Sequence, residues 1–360
     1  MNKDSELIGL SEVSELFGVS KQVVANWRLR RKDFPKPLAE LKSGPIWQYQ
    51  AIKSWAEQNN VDIRAGKFAN TTEGKEEGRT RMATTVALVN MKGGVGKSTL
   101  TANLGWYCAY KKDKRILLID LDPQFNLSQY ILGSEKYEDH IKSDHGTVLD
   151  IFEQFTPSVI SKKKKSRLSA PEVIINVKDW DENGRIDLIP SRLELAWTLK
   201  NPEDKKQLLN DFLDEIRNEY DLILIDCPPT ESMLTTAAYL ASDSVLVPVR
   251  PEFLSTIGLP LLVRSLEEFK QKHKQKIIDL MGIVFNASGD KLEHDRSRKF
   301  VSDVARKENW YVFKKEVAYS DSYAVGSRAG KPIFLTAYAR GWKIDAFIEV
   351  AEEFCNRVGF

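Results

Sequence analysis

The apolar run at residues 84–89 breaks into Asn90, Met91, Lys92, Gly93, Gly94, Val95, Gly96, Lys97, Ser98 and Thr99, and no other stretch restricts the fold so tightly. A buried strand that ends in a glycine-rich turn and re-enters a helix aims several backbone N–H groups, and the positive helix end, at one point. That point suits a phosphate. Glycine is needed there because a Cβ would block the anion's approach and because part of the turn takes positive φ. Lys97 then supplies a charge for β- and γ-phosphates, and the Ser98 hydroxyl a ligand for Mg²⁺.

The usual spacing of such a turn, G-x-x-x-x-G-K-[ST], fails at its first position, which is Met91. A second lysine, Lys92, stands before the glycine pair instead. The run from Lys92 to Ser98 resembles the deviant Walker A motif K-G-G-x-G-K-[ST] of the ParA/MinD family of ATPases. The resemblance implies that Lys92, Gly93, Gly94, Val95, Gly96, Lys97, Ser98 and Thr99 hold ATP, with Lys97 and Lys92 also catalytic. It further implies that Lys92 crosses a two-fold interface to the partner's phosphates, so that nucleotide forms part of a homodimer contact.

Along the chain, a Gly-, Thr-, Glu- and Lys-rich stretch at 64–81 has only Phe68 as a large apolar residue. Such a segment cannot bury enough surface to offset its ordering entropy, so it is expected to link a domain at 1–63 to one at 82–360. In the first, Ser11 and Ser20 are placed to cap two short helices joined by a turn at Gly18. Residues 37–41 and 46–49 flank Ser43 and Gly44 as a wing hairpin, and a helix at 51–58 closes the unit. Residues 10–58 resemble winged helix-turn-helix domains of the MerR and excisionase kind. Lys21 and Gln22 would face bases, with Asn26 and Arg28 on the same helix and Arg30 and Arg31 suited to phosphates.

In the second domain, apolar runs at 84–89, 116–119, 186–189, 222–225, 245–249 and 280–285 alternate with helical patterns at 97–110, 203–219, 233–240, 257–272, 294–308 and 342–356. Continuous apolar strands followed by helices indicate an α/β fold with a doubly wound parallel sheet, ligands lying beyond the carboxyl ends of its strands.

Two more strands end in acids. Asp120 and Asp122 stand in Asp120-Leu121-Asp122-Pro123-Gln124, and Asp226 precedes Cys227-Pro228-Pro229. Carboxylates at strand ends beside a phosphate site can orient water or hold a metal's water shell. The first segment is similar to the family's D-x-D-P-Q motif and the second to its Walker B segment. By that resemblance Asp122 activates the hydrolytic water, Asp120 and Asp226 complete the metal set with Ser98, and Asn286 contacts adenine.

The formal charge of +2 argues neither for nor against nucleic acid, and Cys108, Cys227 and Cys355 have no metal or disulfide spacing. The polar, acidic start and the lack of a membrane-length apolar run lead to an expectation of a cytoplasmic, nucleoid-associated protein. Lys162, Lys163, Lys164, Lys165 and Arg167 sit in a charged insertion that could touch DNA or be a solvated loop. Together the halves resemble a larger partition ATPase of the family, with operator-specific DNA binding at the N-terminus and nonspecific DNA binding through Lys314, Lys315, Arg328 and Lys331. A centromere-binding or cargo adaptor protein would stimulate its slow hydrolysis. A nucleotide-switched transcriptional regulator, or a positioning ATPase for a protein cargo, would use the same pocket. A MinD-like membrane role is disfavoured by the acidic polar face of the last helix, with Asp345, Glu349, Glu352 and Glu353. The nitrogenase-reductase branch lacks its cluster cysteines here.

Overall fold

The computed structural model describes residues 7–10, 13, 24, 28, 34–41, 44–58, 82–143, 145–154, 168–180, 184–200, 205–289 and 292–360. The chain divides into two units, Met1–Gly78 and Arg79–Phe360.

In the first unit three short strands, β1 (Leu7–Gly9), β2 (Ala39–Leu41) and β3 (Gly44–Gln48), form an antiparallel sheet in the order β1-β3-β2. The expected hairpin is present, with Ala39 opposite Ile46 and Leu41 opposite Gly44. Strand β1, which the sequence pattern does not announce, pairs with the other side of β3. Helix Tyr49–Gln58 follows, and Ile8, Val13, Val24, Phe34, Trp47, Ile52 and Trp55 share one small core. The Phe34 ring meets Trp55 edge-on at 4.7 Å, and the Trp47 indole N–H donates to the Pro35 carbonyl at 2.8 Å. Of the two expected helices upstream, Val13, Val24 and Arg28 are helical; Lys21, Gln22, Asn26, Arg30 and Arg31 lie outside the described residues. So do residues 59–81, which include the expected linker, and the insertion lysines.

The second unit is built on seven strands: β4 (Thr84–Leu88), β5 (Arg115–Asp120), β6 (Ile175–Asp179), β7 (Arg185–Ile189), β8 (Leu222–Asp226), β9 (Ser244–Val249) and β10 (Asp279–Phe285). Their order is β10-β9-β4-β8-β5-β7-β6, parallel throughout except for β6. Alternation sends Ala87, Leu117, Ile119, Ile223 and Ile225 into one core, and Val86, Leu88, Ile116, Leu118 and Leu224 into another on the opposite face. Both faces are therefore apolar, which is why these strands read as unbroken runs. All six runs expected from the sequence are strands. The seventh, β6, is half exposed and antiparallel at the sheet edge, so its residues Ile175-Asn176-Val177-Lys178-Asp179 alternate and give no continuous signal.

Helices Lys97–Lys112, Asn126–Leu132 and Gly341–Val358 contribute to one face's core, and Leu208–Ile216, Met233–Ala241 and Phe253–Lys272 to the other's. Strand β4 is central, and the chain leaves it first toward β5 and β7 and later toward β9 and β10. The crevice at the carboxyl end of β4 is the switch point where ligands of such sheets bind. Among the described residues no helix is long and apolar enough to cross a membrane.

Candidate functional site

The turn after β4 is held from both sides. Asn90 is buried, donates from its amide to the Pro248 carbonyl at 2.8 Å, and accepts the Lys92 N–H on its side-chain oxygen at 2.9 Å. Gly94 and Gly96 take φ of 74° and 86°, in the left-handed region that glycine enters at least cost. No side chain caps the start of helix Lys97–Lys112, so its first N–H groups are left to a ligand. Asn286, arriving after β10, donates to the Val95 carbonyl at 2.7 Å and lies against Gly96 so closely that a Cβ there would sit 2.2 Å from its amide nitrogen.

The two lysines of the turn are placed differently. Lys97 is 6% exposed, and its ammonium folds back onto the carbonyls of Asn90 at 3.1 Å and Lys92 at 3.4 Å. Burial lowers its pKa, against the opposing pull of Asp226, Cys227 and Asp122. Lys92 keeps a side chain 30% exposed, with its ammonium 4.0 Å from Glu252, which also pairs with Arg250 at 2.9 Å.

Register brings the acids together. Leu88, Asp226 and Asp120 stand on one rung of β4, β8 and β5, all three at the carboxyl edge. Asp120 accepts from Ser128 N–H at 2.8 Å, Ser128 Oγ–H at 2.7 Å and Asp122 N–H at 3.1 Å; burial nevertheless lifts its pKa to about 7. Asp122 accepts the Gln124 N–H at 3.0 Å, and its carboxyl is raised by burial while Lys97 opposes the shift. Asp226 is wholly buried, and neither of its oxygens has a hydrogen bond of normal geometry. Burial first, and Asp120 second, push it well above the usual carboxylate range, while the nearby Ser98 hydroxyl favours its ionised form. An orphaned buried carboxylate beside a serine hydroxyl is the arrangement that a Mg²⁺ ion completes, so the residues present fit that ion.

Beside the turn lies a cavity of about 360 Å³ lined by Gly94, Gly96, Thr99, Asn286, Tyr319, Ser320, Asp321 and Tyr323. The Tyr323 hydroxyl is buried without a hydrogen-bond partner. Ala287 and Phe125 are non-glycine residues at positive φ, 53° and 46°, next to Asn286 and in the loop after Asp122. Strained backbone of this kind persists where surroundings fix it and concentrates at binding sites. Behind the turn, Asn103 donates to the Thr99 carbonyl at 2.7 Å and the Tyr130 hydroxyl at 2.9 Å, and accepts the Ile333 N–H at 2.8 Å. Tyr130 in turn donates to the Lys331 carbonyl at 3.2 Å.

Every expected residue of the nucleotide and metal set, from Lys92 to Thr99 with Asp120, Asp122, Asp226 and Asn286, thus falls at one end of the sheet. Sequence reasoning singled out Asn90 without giving it a role, and missed the cavity residues Tyr319, Asp321 and Tyr323, more than 220 positions downstream of it. The surface lysines fare differently: Lys315 pairs with Glu349 at 2.9 Å, whereas Arg328 and Lys331 are exposed. Arg28 is exposed as well.

A family model described as AAA domain matches residues 83–279. The chromosome-partitioning ATPase Soj of Treponema pallidum is 30% identical over 237 residues, covering 65% of this chain and 81% of that one. The chain belongs to the ParA/MinD family of P-loop ATPases. Another relative, the chromosome partitioning protein ParA of Caulobacter vibrioides, is 32% identical over 223 residues, 61% of this chain and 73% of that protein. Among solved structures, the complex of Cyanothece McdA with ATP superposes with a TM-score of 0.63 at 18% identity, over 78% of this chain and 97% of that one. A plasmid partition protein of Borrelia burgdorferi bound to AMPPNP gives 0.57 at 22% identity, over 76% and 99%. At such identities the likeness shows the ParA/MinD fold.

The acids give this ParA/MinD chain a signed pH dependence. A carboxyl whose folded pKa is raised stabilises the fold when protonated, and that contribution is lost as pH climbs through the folded value. For Asp120 the window runs from the ordinary 3.8 to about 7, and Asp226 extends it upward. Nucleotide-free protein should therefore melt lower at about pH 8 than at about pH 5. Asp226→Asn, which cannot ionise, should flatten that fall in a calorimetric scan; equal slopes in parent and variant would contradict the assignment.

Proposed function

We propose that the chain is a DNA-partition ATPase in which ATP and Mg²⁺ close a two-fold dimer. The observation that supports this reading is the contrast between the paired lysines: Lys97 is buried over its own turn, while the Lys92 side chain is 30% exposed, as a residue that met a second copy would need to be. Lys97 and the backbone N–H groups of Gly93, Gly94, Val95 and Gly96 hold the phosphates, and Ser98 and Asp226 hold the ion with Asp120 behind them. Bound Mg²⁺ supplies charge neutralisation of the β- and γ-phosphates. Asp122 orients the attacking water, and its raised pKa brings it toward the range where a base works best near neutral pH. Asn286, with the cavity behind it, receives the nucleoside.

The N-terminal unit, residues 1–63, would read an operator through Lys21, Gln22, Asn26 and Arg28, with Arg30 and Arg31 on phosphates. A second, sequence-independent DNA surface would use Arg328 and Lys331, with Lys314 beside them and Lys315 partly neutralised by Glu349. A partner carried by the cargo would stimulate hydrolysis and release the DNA. A protein working this way would sit in the cytoplasm on the nucleoid.

Asp122→Ala tests the cycle. With Mg²⁺ and ATP it should sediment as a dimer, take up ATP in calorimetry as the parent does, and turn over about 10² to 10⁴ times more slowly. Absence of ATP uptake by the parent, or a monomer at saturating ATP in this variant, would overturn the reading.

A further inference from the structure

Helix Asn126–Leu132 starts on Phe125, where local rules do not call for an aromatic residue. The backbone there sits at φ 46°, in the left-handed region, and the side chain offers no acceptor to the helix's first N–H groups; glycine or asparagine would serve at less cost. A bulky ring adds strain at that place and caps nothing. Its compensation is a partner: the Phe125 ring stacks on that of Tyr137, with centres 5.0 Å apart and planes inclined by 15°. Tyr137 is 6% exposed and is the one buried residue of helix Ser134–Lys142.

The stacked pair reaches both acids of the Asp120-Leu121-Asp122 segment. On one side the Phe125 N–H donates to the Asp122 carbonyl at 2.8 Å, closing a turn inside which the Asp122 carboxylate accepts the Gln124 N–H at 3.0 Å. The seat of Phe125 therefore sets where the Asp122 carboxyl points. On the other side the Tyr137 hydroxyl donates to the Ser191 carbonyl at 3.0 Å, the Ser191 N–H donates to Ser128 Oγ at 2.9 Å, and that hydroxyl donates to Asp120 at 2.7 Å. Burial first, and the Asp120 charge second, push the Tyr137 hydroxyl above its usual pKa, which keeps it a donor.

We propose that Phe125 and Tyr137 are positioning residues for hydrolysis: their stacked rings hold the loop after Asp122 in its strained conformation, so that the carboxyl meets the attacking water in one orientation. The inference rests on the ATPase reading above and adds how the chain aims its water-orienting group. Without the stack, residue 125 relaxes into other backbone wells, the turn it closes opens, and the Asp122 carboxyl loses its aim. Lys97, Ser98 and Asp226 stand at other strand ends, so ATP uptake and dimerisation do not depend on the rings.

The test uses the full chain with Mg²⁺, reading ATP affinity by calorimetry and phosphate release in a single turnover. Phe125→Leu and Tyr137→Leu should each slow release by about ten- to a hundred-fold, since a reacting group misplaced by about 1 Å costs up to about 10²-fold. ATP affinity and ATP-dependent dimers should stay as in the parent. Phe125→Tyr, which restores a ring, should recover most of the rate, and Tyr137→Phe, which keeps the stack and loses only the link to Ser191, should fall between the parent and Tyr137→Leu. Phe125→Gly should slow release less than Phe125→Leu, because glycine holds φ 46° without strain. If the buried change Tyr137→Leu prevents folding, the half-buried Phe125→Leu and the conservative Tyr137→Phe carry the test. Parental release by Phe125→Leu, slower release by Phe125→Gly than by Phe125→Leu, or ATP affinity that falls in step with the rate would overturn the positioning role. A parent that splits ATP beside equally fast variants refutes this inference alone, whereas a parent that takes up no ATP, or does not split it, refutes the ATPase reading.

Discussion

Lys92→Ala should remove ATP-dependent dimers and slow hydrolysis by about 10³ to 10⁵, the range over which a cation supplied in trans accelerates phosphoryl transfer. It should still bind ATP, because Lys97 and the turn's backbone are untouched. Folding should change little as well. The Lys92 side chain is 30% exposed, and its pairing with Glu252 at 4.0 Å is a surface contact, worth about 0 to 1 kcal/mol. Sedimentation at saturating ATP and a phosphate-release assay read the two effects separately. Normal dimers in this variant would remove the role assigned to the lysine.

Gly96→Ala should be nearly as damaging by a different route. The residue sits at φ 86°, where a Cβ costs about 1–2 kcal/mol, and that Cβ would lie 2.2 Å from the Asn286 amide nitrogen. Asn286 would have to leave the Val95 carbonyl, which it now binds at 2.7 Å, and a buried amide without its partner costs about 1–3 kcal/mol more. Together these predict a fall in ATP affinity of roughly a hundred-fold or more by calorimetry, with a lower melting temperature. Adding Asn286→Ala should relieve the clash but not the backbone strain, so the melting temperature should recover in part, while ATP affinity should stay low because a nucleoside contact is lost as well. Full affinity in the single variant would show that the turn rearranges freely.

Local patterns carried most of what could be read in advance. The six apolar strands were legible because both faces of a parallel sheet are covered, and the phosphate turn because its glycines and lysines are consecutive. Strand β6 escaped because an edge strand with water on one side alternates, and β1 because three residues give no periodicity. The floor of the nucleotide cavity escaped for a different reason. Asn286 was named through the family resemblance, but Tyr319 and Tyr323 arrive from still farther along the chain and carry no motif, so only the fold brings them beside it. The state of Asp226 was equally hidden: its place in a motif is local, but the absence of a well-formed hydrogen bond to either of its oxygens is a property of the packed interior.

Asn103 ties three parts of the second unit together. One buried side chain is bonded to the phosphate-turn helix at Thr99, to Tyr130 in the helix that follows Asp122, and to the backbone at Ile333, two residues from Lys331. If ATP repositions the first two, it shifts the third, and linkage makes the traffic symmetrical. Whatever grips the chain at residues 331–333 must then alter its hold on the nucleotide by the same factor as the nucleotide alters that grip.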